Sequence, residues 1–335
     1  MSCEFSELYS AMDKTGAMMQ WADKVKYNAP LTQEESEFSE CADAWAKEMG
    51  RTGCDPNHEL AQLIDKALTV DVMAAPSELI SRMFEEGSVG EFDDMQGVEE
   101  PKNTIQVHEA IAGGNVDRSF IDHKVFKPTW RSLAAETDIS YQDLRRGGYR
   151  TVANLTTMIR EAFEYKRVAM LLDEMDKAIA SGNVNYIAEA TALPTVASAD
   201  AMALYLQDMT KDGKPLMFML NKYRQALAKL QQADRWLTDA QKGMYNTNGV
   251  VEAYGGVELM GFSGQRKQPD GTLVIPDKRI FGIADKIGMA LTRGETRVLQ
   301  SEDINQERTH IKVTGYTFGW MITHPEYMAK IVMAQ

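Results

Sequence analysis

The sequence lacks the features that define several large classes of protein. Its 335 residues include only three cysteines. Three are too few for a disulfide framework, and an odd number cannot all pair, so free thiols in a reducing compartment are expected. No apolar run approaches the ~18–20 residues that a membrane span needs, and the mean hydropathy is -0.35. A disulfide-stapled secreted domain and a membrane-spanning helical protein are therefore both excluded.

Recognisable catalytic motifs are also missing. The chain has no dinucleotide-binding glycine motif, Walker A loop, zinc-protease helix motif or EF-hand spacing. Gly261, Ser263 and Gly264 come near a nucleophile elbow, but Gln265 stands where the closing glycine is needed for the strained turn. The five histidines are scattered along the chain, and none forms a known order with a serine or cysteine. The sequence predicts neither an enzyme nor a cofactor site.

One group has the spacing of metal ligands. Cys54 and His58 form a C-x₃-H pair, with Cys41 upstream. A structural zinc site needs four ligands in a tetrahedron, and no fourth is identifiable. Cysteines on amphipathic helices are more often small buried apolar groups. No metal site is expected.

Charge is distributed unevenly along the chain. The net charge is -13. Residues 1–100 hold 22 acidic and 7 basic residues, a balance of -15, and the remainder holds 27 acidic and 29 basic residues, a balance of +2. A field this negative repels duplex nucleic acid and anionic membranes, so sequence-specific nucleic-acid binding and membrane association are not expected.

The first hundred residues carry the pattern of short helices. Thr32 and Glu35 form a capping box that opens one helix, which stops at Gly50. Two further apolar stripes at helical spacing follow at 60–68 and 79–84. The acidic first third is therefore predicted to be a helical region attached to a near-neutral body.

A polar, extended segment follows. From Thr104 the apolar period changes to two, and the turn residues 113–115 separate its two halves. A hairpin with so little apolar surface usually needs a second surface for stability. The segment and the start of the next helix are also locally basic. Two interpretations remain open: a solvated charged face, or pairing with the acidic surface of a neighbouring molecule.

The clearest element is a very long helix. Apolar residues from Leu155 to Ile179 keep to one helical face between Gly148 and Gly182, which predicts a helix over 149–181. At 1.5 Å per residue it is roughly 50 Å long. A helix of this length must cross a wide body or lie between subunits.

Mixed helices and strands follow. The sequence predicts a helix over 198–209, a buried strand over 216–220, a helix that begins at Asn221, and a turn at 269–271. Ile311 and Val313 occupy odd-numbered positions and would face one side of a strand, whereas Phe318 and Trp320 occupy even-numbered positions and would face the other side. Gly315 lies at the switch, which predicts a β-bulge.

This order of elements resembles that of the major capsid proteins of tailed bacteriophages with the Hong Kong 97 phage fold. The likeness rests on an acidic helical arm, a polar basic hairpin that includes 126–131, one long helix, an α/β middle, and a closing stretch over 288–300 with a bulged strand. The resemblance implies an α+β fold with an N-terminal arm, an extended loop, a peripheral domain built on a spine helix and an axial domain, here with an added helical N-terminal region.

The resemblance also implies a domain organisation. Residues 1–102 correspond to the acidic helical N-terminal arm or subdomain, and 103–147 to the extended loop. Residues 148–185 and 296–335 correspond to the peripheral domain, with its spine helix at 149–181, and 186–295 to the axial domain. The residues expected to contact neighbouring subunits are Lys124, Phe126, Lys127, Trp130, Arg131, Arg145, Arg146 and Arg150.

The implied function is structural. Such a protein self-assembles through pentamers and hexamers into an icosahedral head shell around double-stranded DNA, which it contacts non-specifically. Scaffold, portal and decoration proteins are further implied partners. The implied location is the virion, with assembly in the host cytoplasm. Two alternatives remain: an encapsulin-like compartment that holds a cargo protein, and an enzyme whose site is assembled from scattered residues.

Overall fold

The computed structural model describes residues 17–49, 78–90, 98–102, 122–211, 213–233, 251–264, 267–268, 270–294, 297–303 and 306–334. The helices are α1 (Ala17–Lys26), α2 (Gln33–Met49), α3 (Glu78–Met83), α4 (Tyr141–Gly147), α5 (Tyr149–Ala178), α6 (Val196–Met209) and α7 (Asn221–Ala233). The strands are β1 (Phe84–Val89), β2 (Val98–Lys102), β3 (Asp122–Phe126), β4 (Thr129–Ser140), β5 (Tyr186–Glu189), β6 (Leu216–Leu220), β7 (Ala253–Tyr254), β8 (Val257–Phe262), β9 (Arg279–Ile283), β10 (Gly288–Arg293), β11 (Arg297–Asp303), β12 (Arg308–Ile322) and β13 (Met328–Met333).

The long helix α5 is present as predicted, with 30 residues that span about 45 Å at 1.5 Å per residue. Leu155, Ile159, Phe163 and Met175 share its buried face. Leu155, Ile159 and Phe163 follow one another at intervals of four residues, which places these three on one stripe of the helix that faces the core.

A five-stranded sheet lies around β12, its longest strand. Antiparallel β4 pairs along one side of β12, whereas β11 and β10 pair one after the other along its other side. Strand β1 then pairs parallel to β10. The register of β4 on β12 shifts between Val313 and Tyr316, and Gly315 has a φ of +87°. The predicted β-bulge at Gly315 is therefore confirmed.

A six-stranded sheet has the order β5-β13-β9-β6-β8-β7. All five residues of β6 are buried, as expected for a central strand covered on both faces. The rings of Phe218 on β6 and Phe281 on β9 stack with their centroids 5.5 Å apart. The predicted strand 216–220 and helix 198–209 are confirmed within one residue or two.

Two short crossovers join the sheets. Residues 284–287 lead from β9 to β10, and residues 323–327 lead from β12 to β13. Their backbones bond to each other: the amides of Thr323 and His324 donate to the Ile287 carbonyl at 2.9 and 3.0 Å, and the Ala284 amide donates to the Tyr327 carbonyl at 2.8 Å. The connection between the sheets is thus a hydrogen-bonded double ribbon.

Helix α5 provides a second connection between the sheets. In its middle, the Arg167 guanidinium lies 4.7 Å from the ring of Phe318 on β12. Near its end, Asp176 accepts a hydrogen bond of 2.8 Å from Lys330 Nζ on β13. The same carboxylate lies 3.4 Å from Arg279 Nε on β9. The helix therefore makes polar contacts with both sheets.

The first two helices pack against α5. Trp21 is buried, and its ring meets that of Phe38 edge-on at 4.8 Å. Asp23 pairs with Arg160 of α5 at 2.9 Å. At the start of α2, the Thr32 amide donates to Glu35 at 2.7 Å and the Glu35 amide donates to Thr32 Oγ1 at 3.4 Å, which confirms the capping box. The predicted stripe at 60–68 lies outside the described residues.

Several strands pair across the bounds of the predicted domains, among them β4 (103–147) and β10 (186–295), which both pair with β12 (296–335). Strand β1 falls within the segment 1–102 but pairs in the five-stranded sheet. Strand β13 falls within the segment 296–335 but pairs in the six-stranded sheet with β5 and β9. The domain boundaries themselves stay a prediction.

Strands β2 and β3 form a separate two-stranded antiparallel sheet. The hairpin therefore begins at Val98, before the predicted boundary at 103, and 103–121 lies outside the described residues. Residues 127 and 128 then lead directly into β4. Pro128 favours an extended backbone at the preceding residue, and β3 and β4 belong to different sheets.

The expectation of free thiols is wrong for Cys41, which is disulfide-bonded. Its partner lies outside the described residues. A cysteine held in a disulfide does not supply the thiolate that a zinc site needs.

Candidate subunit-contact surfaces

The predicted contact residues fall into two groups at opposite ends of β4. Lys127 and Arg131 are exposed at its start, whereas Arg145, Arg146 and Arg150 are exposed beyond its end. The nine residue steps from Arg131 to Ser140 span about 30 Å at roughly 3.3 Å per residue. The structure therefore gives two separate basic regions and does not bring these residues into one patch.

The Trp130 side chain packs against β12 of its own chain. It is half-buried and lies opposite Gly319 in the β4–β12 register. A Cβ added to Gly319 would come within 2.5 Å of Trp130 Cε3, so the indole occupies the space that a side chain on β12 would need. The Arg293 guanidinium lies 5.9 Å from the Trp130 ring centroid.

The second basic region surrounds the start of α5. Arg145 lies 3.9 Å from Glu307, and both side chains are about half exposed or more. Arg150 Nε donates to the Tyr149 hydroxyl at 3.4 Å, and this hydrogen bond raises the pKa of Arg150 above its ordinary value. Exposed pairs of this kind contribute little to stability.

For Lys124 and Phe126, the strand pairing of the backbone gives their position. Both belong to β3 and pair with β2, Lys124 opposite Glu100 and Phe126 opposite Val98. They therefore belong to the separate hairpin, beyond the start of β4.

The acidic N-terminal region pairs with α5 of its own chain. Besides the Asp23–Arg160 contact, Lys26 lies 2.5 Å from Glu161. Asp43 on α2 accepts a hydrogen bond of 3.2 Å from the Tyr149 amide, and a carboxylate at a helix N-terminus is stabilising. Pairing of Arg145, Arg146 and Arg150 with an acidic surface of a neighbouring molecule stays a prediction.

A groove of about 650 Å³ lies between β4 and α5, and we call it the β4–α5 groove. The six consecutive residues 132–137 form one wall. Helix α5, including Lys166, forms the other, and Gln268 and Asp270 also line the groove. Lys166 Nζ donates to Gln268 Oε1 at 3.4 Å. Sequence reasoning missed this groove because it forms only where α5 packs back alongside β4, which neither segment's pattern shows. The one signal was Met158, an apolar residue beside the buried stripe of α5.

Nothing within the described residues resembles a catalytic or metal centre. Ser263 lines a cavity of only about 10 Å³, too small for a substrate. His310 contacts Asp138, and His324 lies 3.0 Å from Glu326. No group of three potential metal ligands occurs in the part of the chain that the structure describes. Among the same residues, no helix combines the length and hydrophobicity needed to cross a membrane.

The sequence matches no protein-family model and no curated protein. Solved structures nevertheless share its fold. A chain of Mycobacterium phage Ogopogo has a TM-score of 0.52 and 13% identity, over 77% of this chain and 92% of that one. The capsid structure of the cyanophage P-SCSP1u has a TM-score of 0.50 and 11% identity, over 76% and 88% of the two chains.

A third likeness is to the capsid of a native GTA particle, with a TM-score of 0.50 and 14% identity over 76% of this chain and 89% of that chain. At such low identity, these likenesses define the fold. The chain has the mixed α+β fold of phage capsid proteins, which confirms the fold predicted from the order of its elements.

Proposed function

We propose that this protein is the major capsid protein of a tailed bacteriophage, copies of which self-assemble into the icosahedral head shell around double-stranded DNA. The observation that carries the proposal is the fold likeness over three quarters of the chain to solved phage and GTA capsid structures. The proposal makes the protein a structural component with no catalytic role. Its location is then the virion, after assembly in the host cytoplasm.

The architecture supports this role physically. Two sheets joined by the double ribbon and α5 give a body with fixed geometry, and the β2–β3 hairpin forms a separate sheet beside it. A shell needs one sequence to make heterologous contacts that close into rings of five and six. A body with a separate hairpin supplies such contacts, because the hairpin of one copy can lie on the body of the next.

The basic regions are the proposed polar contacts between subunits. Lys124, Phe126, Lys127 and Arg131 belong to the hairpin and the start of β4, whereas Arg145, Arg146 and Arg150 surround the start of α5. Charge pairs across an interface steer association and fix register more than they add affinity. Trp130 contributes indirectly, by fixing the start of β4 against β12.

Other partners follow from the same proposal. The acidic residues of 1–100, with their balance of -15, repel the phosphate backbone and favour weak, non-specific contact with packaged DNA. Scaffold, portal and decoration proteins are the further partners that a phage head employs. In this proposal residues 1–102 form an N-terminal arm or subdomain, 103–147 the extended loop, and the remainder the peripheral and axial domains.

The test is assembly of the recombinant protein expressed alone, followed by sedimentation and negative-stain electron microscopy. Shells, tubes or five- and six-membered rings are expected. Nucleic acid inside the particles agrees with the proposal, whereas a co-purifying cargo protein indicates an encapsulin-like compartment. A monomer or dimer that is unchanged in association state after deletion of the hairpin would contradict the shell function.

A further inference from the structure

Strand β12 has one face that points into the protein and one that points to solvent. Side chains alternate along a strand, and the first half of β12 follows this rule closely. Thr309 and Ile311 are both 0% exposed, whereas Arg308 and Lys312 are exposed. Residues opposite each other in a ladder share a face. Gln300 on β11 lies opposite Ile311, so its side chain also points inward.

Two polar side chains on this inward face have buried atoms without a partner in the protein. The amide atoms Nε2 and Oε1 of Gln300 and the hydroxyl Oγ1 of Thr309 are shielded from solvent, and none of the described residues forms a hydrogen bond with them. Ile311 opposite Gln300 and Ile139 opposite Thr309 belong to the hydrophobic core. Unsatisfied donors and acceptors are rare in protein interiors, because burial removes their hydrogen bonds to water.

The strand register places these two polar groups near each other. Gln300 lies opposite Ile311, and Thr309 precedes Ile311 by two residues, so Gln300 and Thr309 occupy diagonal positions of one face. Diagonal neighbours have Cα atoms about 7–8 Å apart. Two polar atoms that each lie about 2.8 Å from a shared water can be up to roughly 5.6 Å from each other. A diagonal pair with a long glutamine side chain is within that reach.

The chemistry of the two groups identifies the ligand. The Gln300 amide offers a donor and an acceptor, and the Thr309 hydroxyl offers both. A metal ion does not suit them, and no group of three potential metal ligands occurs among the described residues. An apolar ligand would leave all three atoms unsatisfied. Water both donates and accepts, and a buried water molecule bonds to about three otherwise unsatisfied polar groups.

We propose that Gln300 and Thr309 form a binding site for at least one buried water molecule on the inward face of β11 and β12. The water accepts a hydrogen bond from Gln300 Nε2 and donates one to Thr309 Oγ1. The site also fixes the register of β11, because a slip by one residue would turn Gln300 to the solvent face and Leu299 inward. The inference concerns the folded subunit and does not depend on the proposed shell function.

The experiment counts long-lived internal water molecules by oxygen-17 magnetic relaxation dispersion of unassembled, full-length subunits. Thr309→Val removes the hydroxyl at nearly constant shape, Gln300→Met removes the amide, and the double variant removes both. Thr314→Val is the matched control. Thr314 is on the same strand but faces the other side from Thr309, and its hydroxyl donates to the Arg297 carbonyl at 3.4 Å.

The double variant is expected to hold at least one long-lived water molecule fewer than wild type, and Thr314→Val the same number as wild type. Thr309→Ser retains the hydroxyl and is expected to retain the water, which separates loss of the polar partner from a change of shape. An unchanged water count in the double variant, or an equal loss in Thr314→Val, would overturn the inference.

Urea unfolding of the same variants supplies an independent readout. With a shared water, Thr309→Val and Gln300→Met each remove one partner of that water, so each is expected to lower the urea midpoint. In the double variant the second change is expected to lower it less than it does alone, because no buried polar group is then left unsatisfied. Without water, each substitution removes an unsatisfied polar group and raises the midpoint. Raised midpoints, or additive losses in the double variant, would refute the inference.

Discussion

Lys330→Met removes a lysine whose side chain is buried in the six-stranded sheet. The Lys330 side chain is only 6% exposed, and its ammonium donates to the Asp176 carbonyl at 2.6 Å and to the Asp176 carboxylate at 2.8 Å. The first contact satisfies a carbonyl in the last turn of α5, where carbonyls lack partners within the helix. The substitution therefore detaches the end of α5 from β13.

The expected loss follows from these contacts. Breaking a buried ion pair by removing one partner costs about 3–5 kcal/mol. The cost is smaller here, because Asp176 is 31% exposed and Arg279 Nε remains 3.4 Å away. Methionine also retains apolar contact with the Tyr186 ring, which lies 5.2 Å from the ammonium. The free energy of unfolding is expected to fall by about 2 kcal/mol.

The assay is urea unfolding of unassembled subunits, followed by circular dichroism and tryptophan fluorescence. Lys177→Met is the matched control, because Lys177 pairs with Asp173 and Glu174 on the same helix end but is 62% exposed. Its effect is expected to stay below about 0.5 kcal/mol. In the double variant with Asp176→Asn, the second change is expected to cost less than it does alone, because the pair is already broken. Equal losses for Lys330→Met and Lys177→Met, or an additive double variant, would refute the reasoning.

Three further predictions concern single positions. Gly319→Ala places a Cβ 2.5 Å from Trp130 Cε3; a destabilisation of about 1–3 kcal/mol and altered tryptophan fluorescence are expected in urea unfolding. Hydroxyls and a backbone amide that donate hydrogen bonds to Glu189 lower its pKa from 4.5 to about 2. The Glu189 carboxylate therefore stabilises the folded state fully above pH 4.5, and this stabilisation is lost as the pH falls towards about 2. Between about pH 6 and about pH 3, the urea midpoint of Glu189→Gln is expected to fall less than that of wild type. Asp43→Ala removes the acceptor of the Tyr149 amide and is expected to cost about 1 kcal/mol, with faster hydrogen exchange at that amide.

Each of these predictions has a specific contradiction. An unchanged fluorescence spectrum of Gly319→Ala would mean that the Trp130 ring does not lie over β12. Parallel pH profiles for wild type and Glu189→Gln would mean that the carboxylate makes no selective hydrogen bonds in the folded state. Unaltered exchange at Tyr149 in Asp43→Ala would mean that α2 does not cap α5.

The sequence predicts those elements that local pattern determines. Helix α5 follows from one apolar stripe between two glycines, and the bulge at Gly315 follows from a change of strand parity at a residue that tolerates a φ of +87°. In the same way, Thr32 and Glu35 define the start of α2 through contacts three residues apart. Such features depend on neighbouring residues alone, so they can be predicted without the tertiary structure.

Features that depend on distant segments are not predictable in this way. Strand β1 has the sequence FEEGSV, in which no apolar alternation marks a strand, and it becomes one only by pairing with β10. Strand β13 is an apolar run buried almost throughout, and such a run does not indicate which sheet it joins. Lys330 could have indicated a buried ion pair from sequence alone, because a lysine within such an apolar run requires a buried partner.

The candidate contact surfaces likewise include features that the local sequence predicts and features that depend on tertiary packing. The basic residues 124–150 and the need of the hairpin for a second surface follow from composition. The separation of the basic residues into two regions follows from the length of β4. The β4–α5 groove exists only because α5 returns alongside the strand that precedes it, so neither segment predicts it alone.

The most direct test of the proposed function is the association state of the wild-type protein expressed alone, measured by analytical ultracentrifugation with negative-stain microscopy of the sedimented fractions. The proposed function predicts large particles, with closed shells, tubes or five- and six-membered rings. A homogeneous monomer or dimer that is unaffected by removal of the β2–β3 hairpin would contradict it.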